Sequence, residues 1–222
     1  MWHSDNPEKY EGEKRQIDRY YPKLKFKIIN EIVQLSGELE FFASFNDQEI
    51  RDVYSILIIC PTDYPNSVPV SFELGNRIPD DYHKNPDKSL CLATPLDVIK
   101  KFSNEPSILN YINNLLIPYL YRFSFSQKHG KAPFGDYSHG ALGLIEYYLE
   151  QLDVSSISTL VQMLLVVLDH KYRGHSICPC GSTKRLRDCH GIKLQELSRF
   201  SMSQVKIDFI NISRFLEEKL KK

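Results

Sequence analysis

The chain has no excess of charge of either sign: 28 Lys and Arg residues are matched by 28 Asp and Glu, for a formal net charge of +0. That balance excludes a nucleic-acid binder working through bulk electrostatics and leaves room only for local basic patches. Any apolar run approaching the roughly 18 residues of a membrane span is also missing. The opening residues, MWHSDNPEKYEGEKR, are polar and charged, unlike the apolar core of a secretory signal. The expectation is therefore a cytoplasmic protein with no membrane partner. A disulfide framework is excluded too, because the five cysteines (Cys60, Cys91, Cys178, Cys180, Cys189) are odd in number and no export signal accompanies them. Finally, there is no Gly-rich nucleotide-binding loop and no room for an adenylating domain. A chain so built cannot activate a carboxylate by itself.

What is present fits one medium domain and a small appendage: 222 residues, 42% of them hydrophobic. Asn6 to Tyr21 reads as a polar helix with Glu8, Lys9, Glu11, Glu13, Lys14 and Arg15 on exposed faces, stopped by Pro22. From Leu24 to Cys60 the period changes to alternation rich in Ile, Val and Phe, with a turn at Asn46-Asp47. Together with Val70 to Leu74 this predicts a four-strand antiparallel meander. Cys60 ends the last long apolar run and reads as a small buried hydrophobe. After a variable segment, Ser107 to Phe125 carries apolar residues at helical spacing, kinked or restarted at Pro118. Ser138 is positioned to cap a helix from Ala141 to Leu152, and His139 beside it reads as a turn residue more readily than as an acid or base. Ser155 or Ser156 caps a helix from Ile157 to Leu168 that is apolar on nearly every face. A last amphipathic helix is expected from about Leu194 to Lys221. The chain thus divides, on its sequence, into an α+β domain over residues 1–152 and a helical module over 153–222.

The α+β part is organised around YPNSVPVSFELGNRIPDDYHKNPDKSLCLATP, residues 64–95. Pro65, Pro69 and Pro79 each lock φ and restrict the residue before them, so the backbone path here is fixed. These residues resemble the active-site segment of the ubiquitin-conjugating enzyme (UBC) fold, in particular its divergent prokaryotic members. The matching landmarks are Tyr64-Pro65, Pro69, His83-Lys84-Asn85 and Ser89-Leu90-Cys91-Leu92. Lys84 stands where the eukaryotic enzymes usually have Pro, and the step from Asn85 to Cys91 is shorter than theirs. The resemblance implies that Cys91 is a nucleophile that accepts an acyl group as a thioester and passes it to an amine. It implies that Asn85 holds the loop or stabilises the oxyanion, and that His83 is mainly architectural. Asp80, Asp81 and Tyr82 lie close in sequence and could orient or deprotonate an incoming lysine.

The second chemical motif is Cys178-Pro-Cys180-Gly-Ser-Thr-Lys-Arg-Leu-Arg-Asp-Cys189-His190. Three thiols and an imidazole within so short a stretch suit tetrahedral zinc, and four protein ligands make a closed, structural site. The run Cys-Pro-Cys-Gly-Ser through Cys-His-Gly closely resembles the SEC-C motif, a short zinc-binding element appended to many bacterial proteins. Arg173, Lys184, Arg185 and Arg187 surround it, either as a solvated loop or as a small basic contact surface.

Prokaryotic proteins similar to this one occur in antiphage (CBASS-type) operons beside a cGAS-like nucleotidyltransferase whose C-terminus is conjugated. The resemblance therefore implies such a nucleotidyltransferase or a ubiquitin-like modifier as partner, a separate activating enzyme, and a role in antiviral defence. Two other readings stand beside it. One is a non-catalytic adaptor of the same fold; the other is a zinc-containing nucleic-acid binder, which the neutral charge opposes.

Overall fold

The computed structural model describes residues 1–133, 137–169 and 172–221. It is an α+β protein whose sheet is a four-strand antiparallel meander in the order β1-β2-β3-β4. The strands are β1 (Leu24–Ile29), β2 (Ile32–Phe45), β3 (Gln48–Ile59) and β4 (Val70–Glu73). The first two connections are two-residue turns, Asn30-Glu31 and Asn46-Asp47, all with positive φ. Such mirror-image turns match the right-handed twist of the strands they join, and Asn and Asp tolerate them best. Register follows from the alternation: Leu39 faces Tyr54, Gly37 faces Ile56 and Leu35 faces Ile58, which puts these side chains on the buried face. Gly37 itself has φ +147, and a Cβ there would lie 2.1 Å from the Lys23 carbonyl oxygen. Only glycine permits that approach.

Two compact units divide the chain, Met1–Ala93 with Lys100–Gly135 and Thr94–Ile99 with Asp136–Lys222. The division falls near residue 136 and not at the expected 152–153, because the helix α6 (Gly140–Leu152) packs on helices of the second unit. In the first unit, the short α1 (Trp2–Asp5) leads into α2 (Pro7–Tyr20), capped by the Asn6 side chain. The segment read as variable after Pro95 is the helix α3 (Pro95–Asn104), which the division cuts after Ile99: Phe102 is buried in the first unit, while Leu96 belongs to the core of the second. α4 (Ile108–Tyr111) then passes through a π turn over Ile112–Leu116 into α5 (Ile117–His129). Pro118 accounts for the π turn: it offers no N–H and its ring crowds the preceding turn, which an extra residue per turn relieves.

Glu13, expected on an exposed face of α2, is only 4% exposed. It accepts hydrogen bonds from the Tyr64 hydroxyl and from the Ile108 amide at 3.0 Å, with Lys9 Nζ at 3.7 Å. The Tyr64-Pro65 bond beside it is cis. Burial, with the Glu13 charge as a lesser cause, pushes the Tyr64 phenol far up, so it remains a donor. Cys60 is fully buried and its thiol is likewise pushed up by burial, in keeping with a core residue.

A second polar group ties the loop after β4 to the sheet. Arg77 Nη1 and Nη2 donate to the two carboxylate oxygens of Asp52 at 2.7 Å each, and its guanidinium lies 4.5 Å from the centre of the Tyr54 ring. Ser124 Oγ also donates to Asp52 at 2.7 Å. Burial alone would raise Asp52; the bonds from Arg77, Ser124 and the Val53 amide outweigh it and hold the carboxyl at about 2. A depressed folded-state pKa means stability that is fully present above the unfolded value near 4 and lost as pH falls through about 2. Arg77 is 37% exposed, so solvent screens the pair and the contribution is about 1 kcal/mol. Urea midpoints of wild type and Asp52→Asn should therefore differ at pH 6 and converge near pH 2; a difference that persists at pH 2 would rule out this carboxylate as the cause.

In the second unit, α6, α7 (Ile157–Leu168), α8 (Gly191–Phe200) and α9 (Met202–Leu220) enclose a core that includes Leu144, Tyr148, Leu160, Leu164, Leu194 and Val205. Ser156 caps α7 through the Thr159 amide. α7 is buried on one face rather than all round, since Ile157 and Leu165 are each 39% exposed. The single C-terminal helix expected from Leu194 is two, broken at Ser201, whose hydroxyl accepts from the Gln204 amide and caps α9. His139, not Ser138, occupies the cap position of α6, while the Ser138 amide and hydroxyl donate to Glu146. Asp208 is buried between Tyr148 Oη at 2.9 Å and Gln204 Nε2 at 2.8 Å, and burial raises its carboxyl above the usual range. Among the described residues no single helix is long and apolar enough to cross a membrane; α6 and α7 reach that length only together, across a 77° bend.

Candidate functional site

The sequence places Cys91, His83 and Asn85 in one loop, and in the first unit they form one small structure. Lys84 and Leu90 make an isolated antiparallel bridge, and between them the chain turns back at Asn85–Ser89. The Asn85 amide donates to the Ser89 carbonyl at 2.8 Å, and the Lys88 amide to the Asn85 carbonyl at 2.9 Å. Ser89 is buried; its hydroxyl donates to Asp87 at 2.6 Å and accepts from Asn85 Nδ2 at 2.9 Å. These bonds, with the fixed φ of Pro86, make the turn rigid. The Asn85 side chain takes part in this turn through its bond to Ser89 Oγ.

Leu90 anchors the returning arm: its amide donates to the Ser71 carbonyl of β4 at 2.8 Å and its side chain is buried. Cys91 follows, half-buried, with its amide on the His83 carbonyl at 2.8 Å and its Sγ 3.8 Å from the Ala93 carbonyl oxygen. His83 has φ +37, and its ring lies edge-on to Tyr82 at 5.1 Å. Its backbone carbonyl connects it to Cys91. Asp80 pairs with Lys88 at 2.7 Å and with Lys84 at 3.5 Å, and the Lys88 bond holds its carboxyl below the usual range. Lys84 Nζ also donates to the Ile78 carbonyl at 2.7 Å. Asp80 is thus a staple of the loop.

In the second unit the four predicted ligands converge. Residues 174–178 and 184–187 run antiparallel, with Leu186 N on the Ser176 carbonyl at 2.7 Å, Cys178 N on that of Lys184 at 2.9 Å and Arg187 N on that of Gly174 at 3.0 Å. Cys180 sits at the tip of this hairpin, where Gly181 takes φ +80. A 3₁₀ turn over Leu186–Asp188 then delivers Cys189, and His190 stands at the cap position of α8. Gly191 lets the two arms close, since a Cβ there would lie 2.7 Å from the Leu186 carbonyl oxygen.

The ligand atoms of Cys178, Cys180, Cys189 and His190 all lie within 4.8 Å of one another. Cys180 Sγ is 3.5 Å from Cys189 Sγ, and His190 Nδ1 is 3.3 Å from Cys178 Sγ and 3.1 Å from that of Cys189. With zinc–sulfur bonds of about 2.3 Å, the edge of a tetrahedron is about 3.8 Å. The donors sit near the corners of such a figure, so the cluster could hold a metal ion and suits zinc. Burial pushes the Cys178 thiol up to about 11, while the Ser182 hydroxyl and amide hold that of Cys180 down to about 6.

The fold and these two places define an α+β protein that pairs a rigid loop bearing a half-buried cysteine with a Cys₃His cluster able to bind metal. No family model, curated protein or solved structure matches the chain.

Proposed function

We propose that this is a ubiquitin-conjugating-like acyl carrier of the UBC fold that forms a thioester on Cys91. The observation that carries the reading is the loop: a four-strand meander leads into a rigid turn that brings His83, Asn85 and Cys91 together, with the thiol half-buried at its end. In the reaction, the Cys91 thiolate attacks the carbonyl carbon of a protein C-terminus already activated by a separate enzyme. The new bond is Sγ–C and the activating group departs. An amine then attacks the same carbon, the C–S bond breaks, the thiolate is regenerated and the amine's proton passes to solvent or a base. The loop supplies position; the activating enzyme supplies the chemical driving force. A cGAS-like nucleotidyltransferase is the cargo that the resemblance favours, in antiviral defence, with the SEC-C-like cluster holding structural zinc.

The adaptor reading has one observation in its favour. Asn85 Nδ2, the donor that an oxyanion would need, is engaged with Ser89 Oγ. Intact mass of the protein purified with its operon neighbours separates the two, comparing wild type with Cys91→Ser and Cys91→Ala. The expected result is a thiol-labile adduct on wild type, a thiol-stable ester on Cys91→Ser and no adduct on Cys91→Ala. If none of the three carries an adduct while a neighbour stays bound to all, the protein is an adaptor.

A further inference from the structure

One phenol stands behind the Cys91 loop. Tyr119, on α5 and 5% exposed, places its hydroxyl 3.2 Å from the Tyr82 carbonyl oxygen and 3.3 Å from that of His83. Two consecutive carbonyls converging on one point repel each other, and they converge here because His83 adopts φ +37, a conformation that a non-glycine residue adopts only at a cost. A donor shared between them offsets that repulsion. The same His83 carbonyl accepts the Cys91 amide at 2.8 Å. One oxygen thus links α5 to the cysteine.

We infer that Tyr119 is a positioning residue for Cys91, setting the cysteine's place through the carbonyls of Tyr82 and His83. The inference rests on the reading of Cys91 as the acyl-carrying nucleophile. The rest of the loop fits it. Leu90 is fixed independently on Ser71, so the anchor of the returning arm does not depend on Tyr119, whereas the Cys91 amide does. The Tyr119 ring packs edge-on against Tyr82 at 5.9 Å, and Tyr82 in turn against Phe123 at 4.8 Å, so the hydroxyl approaches the carbonyls from a fixed direction. Burial pushes the Tyr119 phenol far up, with Tyr82 and Cys91 as lesser causes. The group therefore stays a neutral donor wherever a cysteine ionises, and it adds no charge against a thiolate.

Tyr119→Phe in the full chain keeps the ring packing and removes only the donor. Residue-resolved hydrogen exchange should show the Cys91 amide opening about tenfold more readily, the weight of one hydrogen bond, with the Leu90 amide unchanged. The pH profile of Cys91 alkylation by iodoacetamide should shift, and charging of Cys91, where it occurs, should slow without weaker binding of the activated donor. Tyr121→Phe, which removes another buried phenol of the same helix, one that donates to the Gln48 carbonyl at 2.9 Å, should do none of this. Wild-type exchange at Cys91 together with an unshifted profile overturns the inference. Should Tyr119→Phe not fold, 4-aminophenylalanine at position 119 keeps a donor in place: wild-type exchange at Cys91 supports the inference and about tenfold acceleration overturns it. The two readings fail differently. A wild-type protein that never carries an acyl group, yet retains the Tyr119–Cys91 coupling, rejects the acyl carrier and with it any positioning for transfer, leaving Tyr119 as a clamp on a loop.

Discussion

Cys189→Ala should abolish metal binding at the Cys₃His cluster and unfold the hairpin over residues 174–190. The expectation follows from how little else holds this segment. Besides the ladder from Gly174 to Arg187, its buried side chains are Cys178 and Leu186, both part of the second unit's core. Structural zinc couples on the order of 10 kcal/mol of binding to folding, as much as the whole stability of a typical domain. His190 stands at the cap position of α8, so losing the cluster removes the start of that helix. Metal analysis of wild type should find zinc bound, and Cys189→Ala should lack it, lose helical signal and melt earlier. A chelator should reproduce the effect on wild type. The ligands must be thiolates, and burial holds Cys178 at about 11 without metal, so uptake at neutral pH releases protons and affinity falls as pH falls. Retention of full helical content and unchanged melting in metal-free protein would show that the core alone maintains the hairpin.

The parts legible in the sequence are those whose cause is local. The apolar run from Val53 to Cys60, after the turn at Asn46-Asp47, revealed β3 (Gln48–Ile59). The four ligands were legible because they all fall within the short stretch Cys178–His190, with Gly181 and Gly191 marking where the backbone must bend or approach. Cys91, His83 and Asn85 were legible as neighbours in a Pro-fixed loop. What stayed hidden depends on distant partners. The break at Ser201 is a single capping hydroxyl inside an otherwise continuous amphipathic pattern. Tyr119 lies on an apolar stripe and reads as core; its hydroxyl matters only because carbonyls 36 and 37 residues away meet it. α6 carries enough apolar residues to suit either unit, and only the packing of Leu144, Tyr148 and Leu152 assigns it to the second.

Glu13 is the largest of these omissions, and Glu13→Ala should destabilise the first unit more than alanine at any other charged position of α2. In a helix with eight charged residues of the type that usually face water, one carboxylate is turned inward to partners 51 and 95 residues away, Tyr64 and Ile108. Burying it is tolerable only because each carboxylate oxygen accepts a bond and Lys9 stands nearby. Truncation to Ala leaves the Tyr64 hydroxyl and the Ile108 amide, the latter at the start of α4, without their acceptor. Each buried donor left without an acceptor costs about 1–3 kcal/mol, so the pair costs about 2–6 kcal/mol. Glu13→Gln retains one acceptor oxygen but turns an NH₂ toward a donor, and should cost about half as much. Urea unfolding at constant slope reads both values as shifts of the midpoint. The order Ala worse than Gln is the informative part, because it separates lost acceptance from lost charge. A Gln variant as damaged as Ala would mean that the charge facing Lys9 matters most, and an Ala variant within about 1 kcal/mol of wild type would mean that desolvating the carboxylate already consumes what its bonds contribute.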